Sequence, residues 1–151
     1  MEVKKAFKVF RYASEVQWKS GRTGVVRCPG KPDLAVSSPP EFKGEAGKWT
    51  PEDMLLASVN VCTMLTFLAF AQHAGLNFTS YESTAEGTLE SVEGKYRFTE
   101  VSLHPTLTLK SQADVEPARK ILGDAHANCF VANSITAAVK IIPQFSVEEQ
   151  P

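Results

Sequence analysis

Few residues in this chain can do chemistry, and they are easily enumerated: cysteines at 28, 62 and 129, histidines at 73, 104 and 126, and an arginine in a glycine-flanked turn at 22. Cys62 lies in Val59-Asn-Val-Cys62-Thr-Met with apolar neighbours on nearly every side. Such a cysteine is either a small buried hydrophobe or, if a cation or hydrogen-bond donors lower its pKa, a nucleophile. Cys129 falls at a break between two helical patterns and precedes Phe130-Val-Ala-Asn133. If a helix starts there, its amides favour a thiolate. Cys28, before Pro29-Gly30, reads as an ordinary strand cysteine. His126-x-x-Cys129 has a spacing found among metal ligands, so a zinc site of Cys62, His126 and Cys129 is one reading, although no Cys-x-x-Cys or second His–Cys cluster supports it. His73 and His104 read as a helix-end and a strand residue. There is no Gly-rich phosphate loop, no Gly-x-Ser-x-Gly elbow and no His-x-x-x-His pair.

The scaffold for these residues is 151 residues long, which predicts a single domain. It is 43% hydrophobic and 22% charged, which excludes a disordered or low-complexity chain. A net charge of −1 gives no general reason to expect nucleic acid or an anionic membrane as partner. Residues 1–48 nevertheless hold ten Lys/Arg against five Asp/Glu, while the remainder is acidic. That asymmetry reads as complementarity between the halves, within or between subunits, or as a surface for an anionic ligand. No apolar stretch follows the charges of the first seven residues, so no secretory signal is expected. Three scattered cysteines make no disulfide framework, and a cytoplasmic, reducing location is the expectation. In such a compartment a cysteine that matters is reactive.

Met54–Ala71 is eighteen residues without a charge, the threshold for a membrane span, but Ser58, Asn60, Thr63 and Thr66 interrupt it. It reads as a buried helix. Thr50 as cap, Pro51 in the first helical position, Glu52 and Asp53 in the first turn, and Gly75 as the stop predict about 24 residues. Ahead of it, strands are expected over Ala6–Trp18 and Val25–Val36, the second broken at Pro29-Gly30, then a polar loop over Ser37–Lys48. After it, Asn77–Ser91 and Lys95–Lys110 predict a hairpin about Glu93-Gly94, with a bulge near Glu100 where the alternation changes phase. Ser111 to Asp114 resembles a capping box opening a helix striped by Val115, Ala118, Ile121, Leu122 and Ala125. A short helix over Ala132–Thr136 and a last strand, Ala138–Phe145, complete an α+β order with antiparallel sheets.

Three stretches in register carry a resemblance: Trp18-x-x-Gly21-Arg22-Thr-Gly24; Trp49-Thr-Pro-Glu52-Asp-Met-Leu-Leu-Ala-Ser58 with Cys62 ten residues after Glu52; and His126-Ala-Asn-Cys129-Phe-Val-Ala-Asn133-Ser-Ile. Over nearly its whole length the chain resembles the OsmC/Ohr family of osmotically inducible and organic hydroperoxide resistance proteins. The resemblance implies an OsmC-like fold with antiparallel sheets around a long central helix, intertwined as a homodimer. It further implies a thiol peroxidase in which Cys62 attacks the peroxide, Cys129 resolves the product as a disulfide, Arg22 activates the thiolate and Glu52 holds that arginine. No bound cofactor is implied, only an external dithiol reductant such as a dihydrolipoyl group. Leu65, Phe67, Phe70 and Phe130 are candidates for an apolar pocket selecting organic hydroperoxides. Glu52 and Cys62 stand about 15 Å apart along one helix, so an Arg22–Glu52 pair serving Cys62 has to come largely from the other subunit. Phe130 stands where the hydroperoxide-resistance branch usually has Pro, and Thr63 where the better-characterised branches tend to have Phe, which points to a less characterised OsmC-like branch.

The bland alternatives stay open beside these roles: Glu52 as a first-turn acid on the helix dipole, and Arg22 as a solvated turn residue. A non-catalytic dimeric protein binding a small hydrophobic ligand, or a purely structural dimer, competes with the enzyme. Both cysteines together with Arg22 and Glu52 favour the enzyme, because a binder needs neither thiol.

Overall fold

A computed structural model describes residues 7–148, which form two units, one up to Asp53 and one from Met54. In the first unit, β1 (Glu15–Ser20), β2 (Thr23–Arg27) and β3 (Leu34–Ser37) form an antiparallel sheet in that order. The strand expected over Ala6–Trp18 is shorter. Ala6 lies outside the described residues, and pairing begins at Glu15, opposite Arg27. The reason is that β2 ends at Arg27, where the chain turns through Cys28–Lys31, leaving nothing to pair with the residues before Glu15. The stretch expected as Val25–Val36 is accordingly two strands, with Gly30 at φ 73° in the turn between them. Within the predicted loop, Pro40–Phe42 makes one 3₁₀ turn.

Helix α1 (Pro51–Ala74) has the predicted ends. The Thr50 hydroxyl accepts the Asp53 amide at 3.1 Å, and the Asp53 carboxylate accepts the Thr50 amide at 3.0 Å, a reciprocal cap. At the other end Gly75 takes φ 68°, and the Leu76 and Gly75 amides donate to the Ala71 and Gln72 carbonyls. The helix is long and apolar enough to cross a membrane by composition alone. Its Val59, Thr63, Phe67 and Ala71, four residues apart, are instead packed inside the protein.

In the second unit β4 (Phe78–Val92) and β5 (Lys95–Leu109) form a 15-residue antiparallel hairpin. Its two-residue turn has φ 51° at Glu93 and 77° at Gly94, as a twisted hairpin requires. The bulge is at Thr99, one residue from the expected place: Glu100 pairs with Thr88 and Phe98 with Leu89. That extra residue turns Phe98 to the same face as the buried Val101, Leu103, Leu107 and Leu109. At Gly87 an added Cβ would stand 2.7 Å from Leu56 Cδ2 and 2.8 Å from the Phe98 ring, so a larger residue there would force those side chains of α1 and β5 to shift.

Ser111 does not cap a helix amide. Its hydroxyl donates to the Asp114 carboxylate at 3.1 Å, and a 3₁₀ turn over Gln112–Asp114 precedes α2 (Val115–Ala127). The predicted helix over Ala132–Thr136 is a 3₁₀ turn over Ala132–Ser134. The last strand is two, β6 (Ala138–Ile141) and β7 (Gln144–Val147), separated by Ile142-Pro143. Both pair with β5 in parallel, against the expectation of purely antiparallel sheets. The crossover through α2 returns the chain to the end of the sheet from which β5 set out, and a parallel strand follows. α2 buries Ala118, Ile121, Leu122 and Ala125 against Phe67 and Ala71 of α1 and Leu107 and Leu109 of β5.

Candidate active site

The two cysteines that the sequence singles out meet in the second unit. Cys62 is half-buried on α1, and Cys129 is completely buried in the segment after α2. The two thiols are near enough for each to shift the other's pKa, and no disulfide joins them. The segment that carries Cys129 is tied into one shape by its own polar groups. Asn128 Nδ2 donates to the Asp124 carbonyl at 2.8 Å, Asn133 Nδ2 to the Ala127 carbonyl at 3.2 Å, and the Ser134 hydroxyl to the Phe130 carbonyl at 2.6 Å.

That shape turns three consecutive amides toward sulfur. Burial pushes the Cys62 thiol up, but donation from the Val131 amide, the Cys129 thiol and the Phe130 amide outweighs it and brings the pKa below the ordinary thiol value. The Thr66 hydroxyl donates to the Cys62 carbonyl at 2.8 Å. Cys129 moves the opposite way. Burial raises it, only partly offset by the Ala132 amide at 3.5 Å and the Thr63 hydroxyl at 3.6 Å, and a Cys62 thiolate beside it raises it further. The pair is therefore polarised, with Cys62 the more readily ionised of the two thiols. The sequence reading expected amides after Cys129 to favour a thiolate there; the Phe130 and Val131 amides serve Cys62 instead, and Cys129 itself is pushed up.

Cys62 opens into a groove of about 660 Å³ lined mainly by apolar side chains, among them Val61, Leu65, Ala69, Phe70 and Phe130. Leu65, Phe70 and Phe130 thus stand around Cys62. Phe67 does not, and its expected place in the pocket is corrected. Five residues after Cys62 it points roughly 140° around the helix, fully buried, with ring centroids 5.5 Å from Phe78 and 5.3 Å from Tyr81. Zinc has no ligand set here: among the described residues no three His, Cys, Asp or Glu side chains stand together as a metal would need.

Arg22 and Glu52 belong to the first unit. Arg22 follows Gly21 (φ 52°) and donates from Nη1 to the Phe42 carbonyl at 3.1 Å, exposed to solvent. It does not pair with Glu52 of its own chain. Glu52 keeps one carboxylate oxygen, Oε2, buried with no hydrogen-bond partner among the described residues. Cys28 is half-buried, and its thiol is directed to the Ala13 carbonyl at 3.7 Å.

The sequence reading gave no chemical role to Thr63 or to the amides of Phe130 to Ala132. Thr63 had no signal of its own, because a helix apolar on every side does not mark 59–63–67–71 as its buried face. The amides had no signal, because backbone donors carry no residue type.

A family model described as OsmC-like protein matches residues 44–144. Uncharacterized protein YmaD of Bacillus subtilis (strain 168) is 26% identical over 138 residues, covering 89% of this chain and 92% of the relative. An OsmC-like protein of unknown function from Vibrio cholerae superposes with a TM-score of 0.83 at 25% identity, covering 89% of this chain and 99% of that one. An organic hydroperoxide resistance protein OsmC from Legionella pneumophila has the same fold, with a TM-score of 0.73 at 23% identity over 93% of this chain and 99% of that one.

Proposed function

The chain belongs to the OsmC-like protein family, and from that premise we propose that it is a thiol peroxidase that reduces organic hydroperoxides. The observation that carries the reading is the polarised Cys62–Cys129 pair, of which Cys62 opens into an apolar groove and Cys129 is buried behind it. The Cys62 thiolate attacks the outer oxygen of ROOH. The O–O bond breaks, the alkoxide leaves and takes a proton as ROH, and Cys62 becomes a sulfenic acid. The sulfur of Cys129 then displaces hydroxide from Cys62. With the Cys129 proton this leaves as water, and a Cys62–Cys129 disulfide remains. An external dithiol, of the dihydrolipoyl kind, returns both thiols by exchange and is itself oxidised to a disulfide. No bound cofactor enters this cycle.

The working form in this proposal is a homodimer. In support, Val61 and Leu65 of α1 are about half exposed in one unit, and Val16 and Trp18 of β1 about three-quarters exposed in the other; exposed apolar side chains of this kind mark interaction sites. The orphaned Glu52 oxygen lacks a donor among the described residues, and Arg22, in a glycine-hinged turn, would supply one across the subunit boundary, next to Cys62 of one chain. A planar guanidinium can hold a carboxylate and a peroxide oxygen together.

The test is consumption of cumene hydroperoxide with dithiothreitol or dihydrolipoamide as reductant. Cys62→Ser is expected to abolish turnover and Cys28→Ser to leave it intact. Equal loss in both, or no turnover by the parent protein, would overturn the reading in favour of a non-catalytic binder of hydrophobic ligands.

A further inference from the structure

Cys129 is completely buried while Cys62 opens into the groove, and this decides which sulfur a reductant can attack. We infer that Thr63 is a positioning residue for the reductive half of the cycle: its hydroxyl, with the Ala132 amide, receives the negative charge when Cys129 leaves the disulfide. The inference rests on the proposed Cys62–Cys129 disulfide. An incoming dithiol thiolate reaches the Cys62 sulfur from the groove and forms a new S–S bond there. The Cys62–Cys129 bond breaks, and its electron pair goes to Cys129. The second thiol of the reductant then attacks the mixed disulfide, frees Cys62 and leaves as a cyclic disulfide, while the reductant's protons restore the two protein thiols. A thiolate formed in a dry interior needs donors at the moment it forms. Cys129 has two, the Thr63 Oγ1 at 3.6 Å and the Ala132 amide at 3.5 Å.

Thr63 suits this task through its place on α1. It follows Cys62 directly, so its side chain is turned about 100° from the groove toward the core, where it is fully buried. A buried hydroxyl without an acceptor costs free energy, and in the fold just described the Cys129 sulfur is the acceptor its Oγ1 finds. Adjacent residues thus hold opposite duties, one meeting the substrate and the next steadying the leaving sulfur.

The experiment oxidises the protein with diamide, which needs no peroxidase activity, and follows reduction of the Cys62–Cys129 disulfide by dithiothreitol in stopped flow. Thr63→Val keeps the shape and loses the donor, and is expected to slow reduction roughly three- to tenfold, while Thr63→Ser restores most of the rate. A second readout takes Cys129 alone and needs no reagent to reach it. In the Cys28→Ser, Cys62→Ser background, adding Thr63→Val should shift the pH titration of the Cys129 thiolate absorbance to higher pH, whereas Thr63→Ser should not. Thr63→Ala, which also lacks the donor, serves if the valine variant does not fold. Wild-type reduction rates in the variants lacking the hydroxyl, with unchanged Cys129 profiles, would overturn the inference even in an active peroxidase. Failure of the parent protein to form the disulfide with cumene hydroperoxide, while diamide forms it, would count against the peroxidase and leave the role of Thr63 standing on these two readouts.

Discussion

Replacing Phe67 by Ala, beside Leu65 by Ala, separates the two faces of α1. Phe67 is fully buried, edge-on to Phe78 with an interplanar angle of 66° and tilted against Tyr81 at 37°. Truncating a core phenylalanine removes its transfer free energy and leaves a cavity, together about 3–5 kcal/mol. The cost is expected in the upper part of that range, because each aromatic pair adds about 0.5–1.5 kcal/mol beyond its area. For a chain of this length each kcal/mol moves Tm by about 2–4 °C, so thermal unfolding at fixed protein concentration should show a fall of roughly 8–20 °C. Leu65 is 55% exposed and lines the groove, so Leu65→Ala should move the unfolding of a single chain by no more than about 0.5 kcal/mol while raising KM for cumene hydroperoxide. Circular dichroism melting and peroxide consumption on the same samples supply both numbers. A Tm within about 2 °C of the parent for Phe67→Ala, with KM raised instead, would refute the assignment of these residues to opposite faces.

Three further outcomes are expected. The donors on Cys62 hold its pKa below the ordinary thiol range, so its alkylation should persist as the pH falls through that range; Cys129→Ala, which removes the thiol donor, should move the profile to higher pH. The sign for stability follows: a depressed thiol stabilises the fold most at high pH, and that contribution is lost as pH falls through the folded pKa. Arg22→Ala should slow peroxide attack on Cys62 and leave the sedimentation of the protein unchanged, with Arg22→Lys recovering only part of the rate; superimposable alkylation curves for the parent and Arg22→Ala would remove Arg22 from the mechanism. Gly87→Ala should destabilise by about 1–3 kcal/mol, as overpacking does, since its Cβ meets Leu56 and Phe98 at under 3 Å; urea unfolding with an unchanged midpoint would contradict that packing.

The parts of the fold that could be read from sequence are those fixed by neighbours along the chain. Thr50, Pro51, Asp53 and Gly75 mark both ends of α1 because caps act within one turn, and Glu93-Gly94 marks the hairpin because its turn needs two positive φ angles. The bulge was legible to within a residue from the phase change between Phe98 and Val101. What escaped depends on partners far away. β6 and β7 carry no mark of parallel pairing, because direction is set by the crossover through α2. Phe67 was misplaced because a helix apolar on every side has no periodicity to tell groove from core. Cys62 and Cys129 could be found by type and spacing. Thr63 and the amides that polarise the pair could not, since their role exists only once α1 and the Cys129 segment are side by side.

The parallel strands also set the order in which the molecule can assemble. The β4–β5 hairpin joins residues adjacent in sequence and can close within microseconds of leaving the ribosome or the denaturant. β6 reaches β5 only after α2 has crossed over, joining Ala138 to Glu100, and such non-local contacts form late. The segment of Cys129 lies between α2 and β6, within the crossover that these late contacts fasten down. The two cysteines therefore come from parts of the chain on either side of the hairpin, Cys62 before it and Cys129 after it, and they meet only when the crossover is in place. A chain cut before Ala138 would keep both cysteines and lose the two strands that hold the end of that crossover to β5.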